Sequence, residues 1–221
     1  MKRVIRPIPK DHEIVLDPYK TIMSKTDKKG IIEYANYYFM EISGYKEWEL
    51  MGQPHNVIRH PDMPKLIFKV LWDRLNEAKP IKAVVKNLAK DGSYYWVIAD
   101  FKTVTDNEGN IIAHYARRKA VPENVKEKIS ELYKSLMVLE KTGGMDASEV
   151  YFNGMLEDLH TDYDEFLLNT FNLSEEQLNS YMSSEISDEQ MLGKNTDYQS
   201  AEDAIKKTTK KKGLFGKLFG K

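Results

Sequence analysis

Between Gly52 and Pro64 the chain crowds Arg59, His60 and Asp62 into a turn that also holds His55. A guanidinium presents a planar fork of donors, so Arg59 suits a phosphate or another anion. His60 reads as a donor to a bound group or as a support for Arg59. Asp62 stands just before an apolar periodic run, the position of a helix-capping residue, with Pro64 in the first turn. Asn87 falls in a strand-like run and carries a donor and an acceptor in one side chain. Trp72 and Phe68 lie one helical turn apart; they read either as the wall of a flat apolar slot or as core packing. Asn36 reads either as a site residue or as a side chain closing a turn. Two histidines, His55 and His60, fall short of a zinc ligand set, and no metal site is expected.

The composition narrows the chemistry further. The chain has 221 residues and no cysteine. Disulfides, thiolate nucleophiles, iron–sulfur clusters and cysteine zinc sites are therefore excluded. There is no G-x-G-x-x-G fingerprint, and no residue is required as an acid–base catalyst, so turnover is not expected. No run approaches the ~18–20 apolar residues of a membrane span. The N-terminus is basic without the apolar run of a signal peptide, so a cytoplasmic protein is expected.

These side chains need a frame, and the turn punctuation supplies one. Thr21–Ser24 and Ile31–Tyr34 flank Asp27-Lys28-Lys29-Gly30, a hairpin whose glycine provides a positive φ. Residues 35–77 are more helical; Leu66, Ile67, Val70, Leu71 and Leu75 recur at helical spacing. Three strand-like runs follow, Ala83 to Leu88, Tyr94 to Val104 and Ile111 to Arg117, joined by Asp91-Gly92 and Asn107–Asn110. The order predicts an α+β domain with a five-stranded antiparallel sheet and flanking helices. In the middle run Tyr95, Val97, Ala99 and Phe101 share one face, and Tyr94, Trp96 and Ile98 the other. Both faces are apolar, so both must be covered, the second by the N-terminal segment, a following helix or a partner. Beyond Pro122, Val125, Ile129, Leu132, Leu136 and Leu139 form a helical stripe that Gly143-Gly144 breaks. A second helix is predicted over 146–171. Ser174–Gln177 and Ser187–Gln190 fit capping boxes for two more.

The run Gly52-Gln53-Pro54-His55-Asn56-Val57-Ile58-Arg59-His60-Pro61-Asp62-Met63-Pro64 resembles the flavin-binding PAS domains of the aerotaxis and energy-taxis receptor family. Tyr34-Ala35-Asn36, Ser43-Gly44-Tyr45 and Glu49-Leu50 continue the resemblance upstream. Phe68, Trp72, Val85-Lys86-Asn87, Lys90-Asp91-Gly92, Tyr95-Trp96-Val97, Tyr115 and Arg117 continue it downstream. It covers residues 20–135. It implies a PAS fold that holds FAD without covalent attachment and reports redox state to the chemotaxis machinery. The implied cofactor-binding residues are Asn36, Arg59, His60, Asp62, Trp72 and Asn87. With a flavin in place, the donor and acceptor of the Asn87 side chain suggest a specific role. Flavin N5 accepts a hydrogen bond when oxidised and donates one when reduced, so a neighbouring amide must rotate. Ile81 stands where the family usually has Trp, and Leu88 where it is often basic. The family's receptors add membrane helices and a methyl-accepting domain. The resemblance is therefore closer to a stand-alone PAS partner of a bipartite energy-taxis system, with a membrane-bound methyl-accepting transducer as its target. A haem-binding or cofactor-free PAS adaptor or dimerisation module, or a small flavoenzyme, stands as the alternative.

Charge divides the chain as well. Of 33 basic and 34 acidic side chains, residues 143–203 carry 15 acidic and one basic, and residues 204–221 carry seven lysines and no acid. The expected organisation is an N-terminal segment (1–19), a PAS sensor domain (20–121), a signal helix (122–142), an acidic helical region (143–203) and a basic amphipathic tail (204–221). In the tail Leu214, Phe215, Leu218 and Phe219 fall on one arc at 100° per residue, which fits peripheral contact with the inner face of the plasma membrane. No nucleic-acid motif accompanies the basic run. A homodimer is a further expectation.

Overall fold

The computed structural model describes residues 6–183. The Ser187 capping box, the lysine-rich end and the Leu214, Phe215, Leu218 and Phe219 arc lie outside the described residues. Strands β1 (Ile22–Asp27) and β2 (Ile32–Ala35) form the first hairpin. Helices α1 (Tyr37–Ser43), α2 (Glu47–Leu50) and α3 (Lys65–Asn76) follow, with a 3-10 turn at His55–Ile58 before α3. The meander is β3 (Ile81–Leu88), β4 (Tyr94–Thr105) and β5 (Ile111–Ala120). The sheet has the order β2-β1-β5-β4-β3, and every neighbouring pair is antiparallel. The α+β architecture expected from the turn spacing is therefore present, and α-helices continue beyond it.

Strand periodicity sorts the sheet's two faces. Val85 and Asn87 of β3 align with Val97 and Tyr95 of β4, and Ala99 and Phe101 of β4 with Arg118 and Ala116 of β5. These side chains look toward α3. The opposite face is closed by α4 (Glu123–Asp158), α5 (Tyr163–Phe171) and α6 (Glu175–Met182). A following helical region, rather than a partner, thus provides the cover that Trp96 and Ile98 require.

Three tyrosines fasten these helices to backbone carbonyls. The Tyr133 hydroxyl donates to Val84 O at 2.6 Å, that of Tyr163 to Lys82 O at 2.9 Å, and that of Tyr181 to Ala120 O at 2.6 Å. Two of these acceptors belong to β3, an edge strand. The other edge strand, β2, is engaged too: Ile32 N–H donates to Gln53 O and Gly52 N–H to Ile32 O. The N-terminal segment crosses the β3–β4 turn, with Lys10 N–H on Gly92 O and Ile14 N–H on Tyr94 O. Gly92 has φ 95° and no room for a Cβ against the Ile8 carbonyl, so no other residue fits there.

Two helix boundaries differ from expectation. Asp62 does not cap α3: Pro64 is the N-cap residue and supplies no side-chain acceptor. The Leu66 amide instead donates to Glu140 of α4 at 2.9 Å, and Asp62 pairs with Lys86 at 2.9 Å. The predicted 146–171 helix is two helices. The kinked α4, with Gly144 at φ 79°, ends at Asp158, and α5 starts under an Asp162 cap that accepts from the Glu165 amide. His160 takes a positive φ of 51° in the connection. The Asp162-x-x-Glu165 spacing was the signal for that second start. The Ser174–Gln177 capping box forms as expected.

Candidate functional site

A cavity of about 230 Å3 lies between α3 and the inner face of the sheet. Helix α3 contributes Phe68, Leu71, Trp72 and Leu75, a spacing that keeps all four on one side. The sheet contributes Val85 and Asn87 from β3, Phe101 from β4, and Ala116 and Arg118 from β5. The rim comes from Gly30 in the first hairpin and from Pro54 to Arg59 around the 3-10 turn. Gly30, at φ 80°, lets the hairpin lie close to the Trp72 ring; a Cβ there would stand 3.2 Å from it. Trp72 also meets His114 edge-on at 5.6 Å.

Three of the six expected site residues line this cavity: Arg59, Trp72 and Asn87. Asn87 is 4% exposed, and its side-chain Nδ2 has no hydrogen-bond partner. Its backbone pairs with that of Arg59 in an isolated antiparallel bridge, which ties the two residues together. The Arg59 guanidinium stacks over the Phe68 ring at 4.1 Å and donates to Met63 O at 3.0 Å. Burial lowers its pKa, and the charge of Glu140 opposes that shift.

The other three stand outside the lining. Asn36 caps α1. Its Oδ1 accepts from the Phe39 and Met23 amides, each at 3.0 Å, and its Nδ2 donates to Thr21 O at 2.8 Å. Both ends of this amide are occupied in joining β1 to α1. His60 is buried edge-on to Tyr94, at 5.8 Å between centroids, and its Nδ1 accepts the Asp62 amide at 3.1 Å. Burial, with Lys86 adding to it and Asp62 opposing, brings its pKa down to about 4. His60 is thus neutral near pH 7, and its 3.5 Å approach to the Asp62 carboxylate is not an ion pair there. Asp62 itself is exposed and holds Lys86, whose Nζ sits 4.2 Å over the Tyr94 ring.

Sequence reading missed Arg118. It is 3% exposed and faces the cavity. Its guanidinium donates to Ser24 Oγ at 2.9 Å and lies 3.0 Å from His55 Nε2. A guanidinium can only donate, so His55 Nε2 must accept and carries no proton. Ser24 Oγ lies 3.1 Å from the same nitrogen. Burial first, then the Arg118 charge, drives the His55 pKa well below its usual value. Burial likewise brings Arg118 down to about 10. Among the described residues no carboxylate pairs with Arg118, and no Asp or Glu lines the cavity. The slot therefore combines aromatic walls, a positive interior and one buried amide donor without an acceptor. Those features fit a planar, electron-accepting ring carrying acceptor atoms, as an isoalloxazine does.

Residues 32–115 match the family model of the PAS fold. The chain is 40% identical over 116 residues to the aerotaxis receptor of Escherichia coli (strain K12), a span of 52% of this chain and 23% of that protein. It is 27% identical over 99 residues to the nitrogen fixation regulatory protein of Klebsiella pneumoniae, covering 45% of this chain and 20% of that one. The chain thus spans about a quarter or less of the curated relatives it matches. Among solved structures, the light state of the blue-light photoreceptor Aureochrome1 LOV aligns at 18% identity and a TM-score of 0.45, over 52% of this chain and 88% of that one. No helix among the described residues is long and apolar enough to cross a membrane.

Proposed function

We propose that the chain is a FAD-binding PAS sensor that passes the redox state of its flavin to a membrane-bound chemotaxis transducer. The observation that carries this reading is the unpartnered Asn87 amide nitrogen, buried in an aromatic-walled cavity that no acidic side chain among the described residues lines. A buried donor left without a partner costs about 1–3 kcal/mol, so a ligand acceptor is the natural complement. A bound flavin supplies a ring that exchanges electrons reversibly and changes its hydrogen-bonding pattern when it does so. Trp72, Phe68 and Phe101 offer its faces apolar contact. Asn87 can present its N–H or, after rotation about its side chain, its carbonyl. Arg59 adds a planar cation beside Asn87 for phosphate or ring oxygens. The 40% identity to a protein named aerotaxis receptor supports the signalling reading. The cavity is smaller than the ~300–1,000 Å3 typical of ligand pockets, so it suits the ring system while the rest of a dinucleotide extends beyond it.

The output reading assigns residues 20–121 to sensing, 122–142 to relaying, and the acidic 143–203 region with the basic 204–221 tail to docking. The partners are a methyl-accepting transducer, a second copy of the chain, and an anionic lipid surface met by Leu214, Phe215, Leu218 and Phe219 at the inner face of the plasma membrane. The test is direct. The full chain is purified, its absorption recorded near ~450 nm, where a flavin but not a haem Soret band is centred, and the heat-released cofactor compared with FAD and FMN. A colourless protein that takes up neither compound on titration defeats the proposal. Deleting residues 206–221 should release the chain from membrane fractions; unchanged fractionation removes the lipid contact.

A further inference from the structure

Arg118 is a buried cation with no acidic partner among the described residues, and it faces the same cavity as Asn87. Proteins seldom bury a charge without pairing it, because the lost hydration must be compensated. Here the compensation is partial. Ser24 Oγ and the unprotonated His55 nitrogen accept from the guanidinium, and the Phe101 ring face lies 5.5 Å away. These are neutral groups. They orient the charge without cancelling it.

Within the cavity wall, among the described residues, no acidic side chain cancels it either. Arg59 and Lys29, the other charged residues of the cavity wall, are also cationic. The register places Arg118 away from Asn87, two strands distant across β4, opposite Ala99 where Asn87 is opposite Tyr95. The donor amide and the unpaired cation therefore act on different parts of whatever fills the slot.

We propose that Arg118 makes this cavity a discriminator of ligand charge, holding a planar ring more tightly when the ring carries net negative charge. The inference rests on the flavin reading above and adds to it the residue that selects the charge state. An oxidised isoalloxazine ring is neutral. Two electrons from a reductant and one proton from solvent leave it with a net charge of −1. Arg118 then gains a counter-ion it otherwise lacks. A site binding both forms equally would leave their equilibrium unchanged, whereas this one shifts it toward the reduced ring.

The test uses the full chain loaded with FAD. Anaerobic dithionite titration against reference dyes gives the midpoint potential of wild type, Arg118→Gln and Arg118→Lys. Gln keeps an amide donor and loses the charge; Lys keeps the charge. The reduced-to-oxidised affinity ratio should fall at least tenfold in Arg118→Gln, which is about 30 mV toward more negative potential for a two-electron couple. Arg118→Lys should retain most of the wild-type value. An unchanged midpoint in flavin-loaded Arg118→Gln overturns this inference and leaves the flavin reading standing. Because that variant has to fold, a second measurement uses wild type alone: reduced FAD should bind at least tenfold more tightly than oxidised FAD. Equal affinity overturns the inference without any substitution. A wild-type chain that takes up no flavin overturns both readings together.

Discussion

Glu140, near the bend of α4, accepts a hydrogen bond at 2.9 Å from the Leu66 amide in the first turn of α3. A helix leaves its first amides without intrahelical partners, and α3 has no side-chain cap of its own. The cap arrives from 74 residues away in sequence. Lys69–Glu149 at 2.9 Å and Arg74–Asp164 at 3.0 Å extend the same seam along α3. Partly exposed pairs of that kind contribute little, about 0–1 kcal/mol each. The Glu140 cap is the stronger link, and α3 is also the helix that presents Trp72 to the cavity.

Glu140→Ala should lower stability by about 1 kcal/mol, the usual cost of a lost N-cap. Glu140→Gln, which retains an acceptor, should lose less. Urea denaturation of the two variants measures the difference. Hydrogen exchange should quicken first at the start of α3.

Asn87→Leu separates ligand from scaffold. The ligand-free chain should be as stable as wild type or more so, because an orphaned buried amide has been replaced by an apolar group of similar shape. Flavin affinity should fall at least tenfold. Denaturation with and without added FAD reads both effects, and unchanged FAD affinity would remove Asn87 from the site.

Acid should weaken the fold over a defined window. His60 has a folded pKa of about 4 against 6.5 for the free side chain. Above 6.5 neither the folded nor the unfolded state binds the proton, and the full stability is present. As pH falls toward 4 the unfolded chain protonates first, so stability drops by up to about 1.4 kcal/mol per pH unit for this group. Below about 4 both states are protonated and its contribution is gone. His55, also depressed by burial and by Arg118, adds to the slope in the same direction. His60→Gln should flatten part of the pH dependence of the denaturation midpoint.

Tyr133→Phe should cost about 1–3 kcal/mol, since the Val84 carbonyl loses its 2.6 Å donor in a buried setting. Hydrogen exchange should rise in α4 near residue 133. An unchanged denaturation midpoint would show that water replaces the phenol.

Much of this fold was legible along the chain because its signals are local. Gly30 and Gly92 mark turns whose positive φ the structure requires. The alternation of Tyr95 to Phe101 marks a strand buried on both sides. Trp72 and Asn87 could be placed in the cavity by helix and strand spacing together with family resemblance. Arg118 could not. It sits in Arg117-Arg118-Lys119, a run that reads as solvated charge until β1 and β4 are known to flank it. Period-two alternation does set residue 118 with Ala116 on one face, but only the sheet order shows that this face is the cavity floor. Asp62 failed as a cap for the opposite reason. The local pattern was suitable, but Pro64 displaced the helix start and a distant glutamate took the role.

The two margins of the sheet bear on association. Along β3 phenolic hydroxyls take carbonyls that a neighbouring strand would seek, and along β2 the Gly52–Gln53 backbone does the same. An incoming ribbon would find these groups already engaged, which hinders growth of this sheet by templated addition at both margins. Crowded copies of the domain should accordingly be slower to stack into fibrils than a sheet with bare margins.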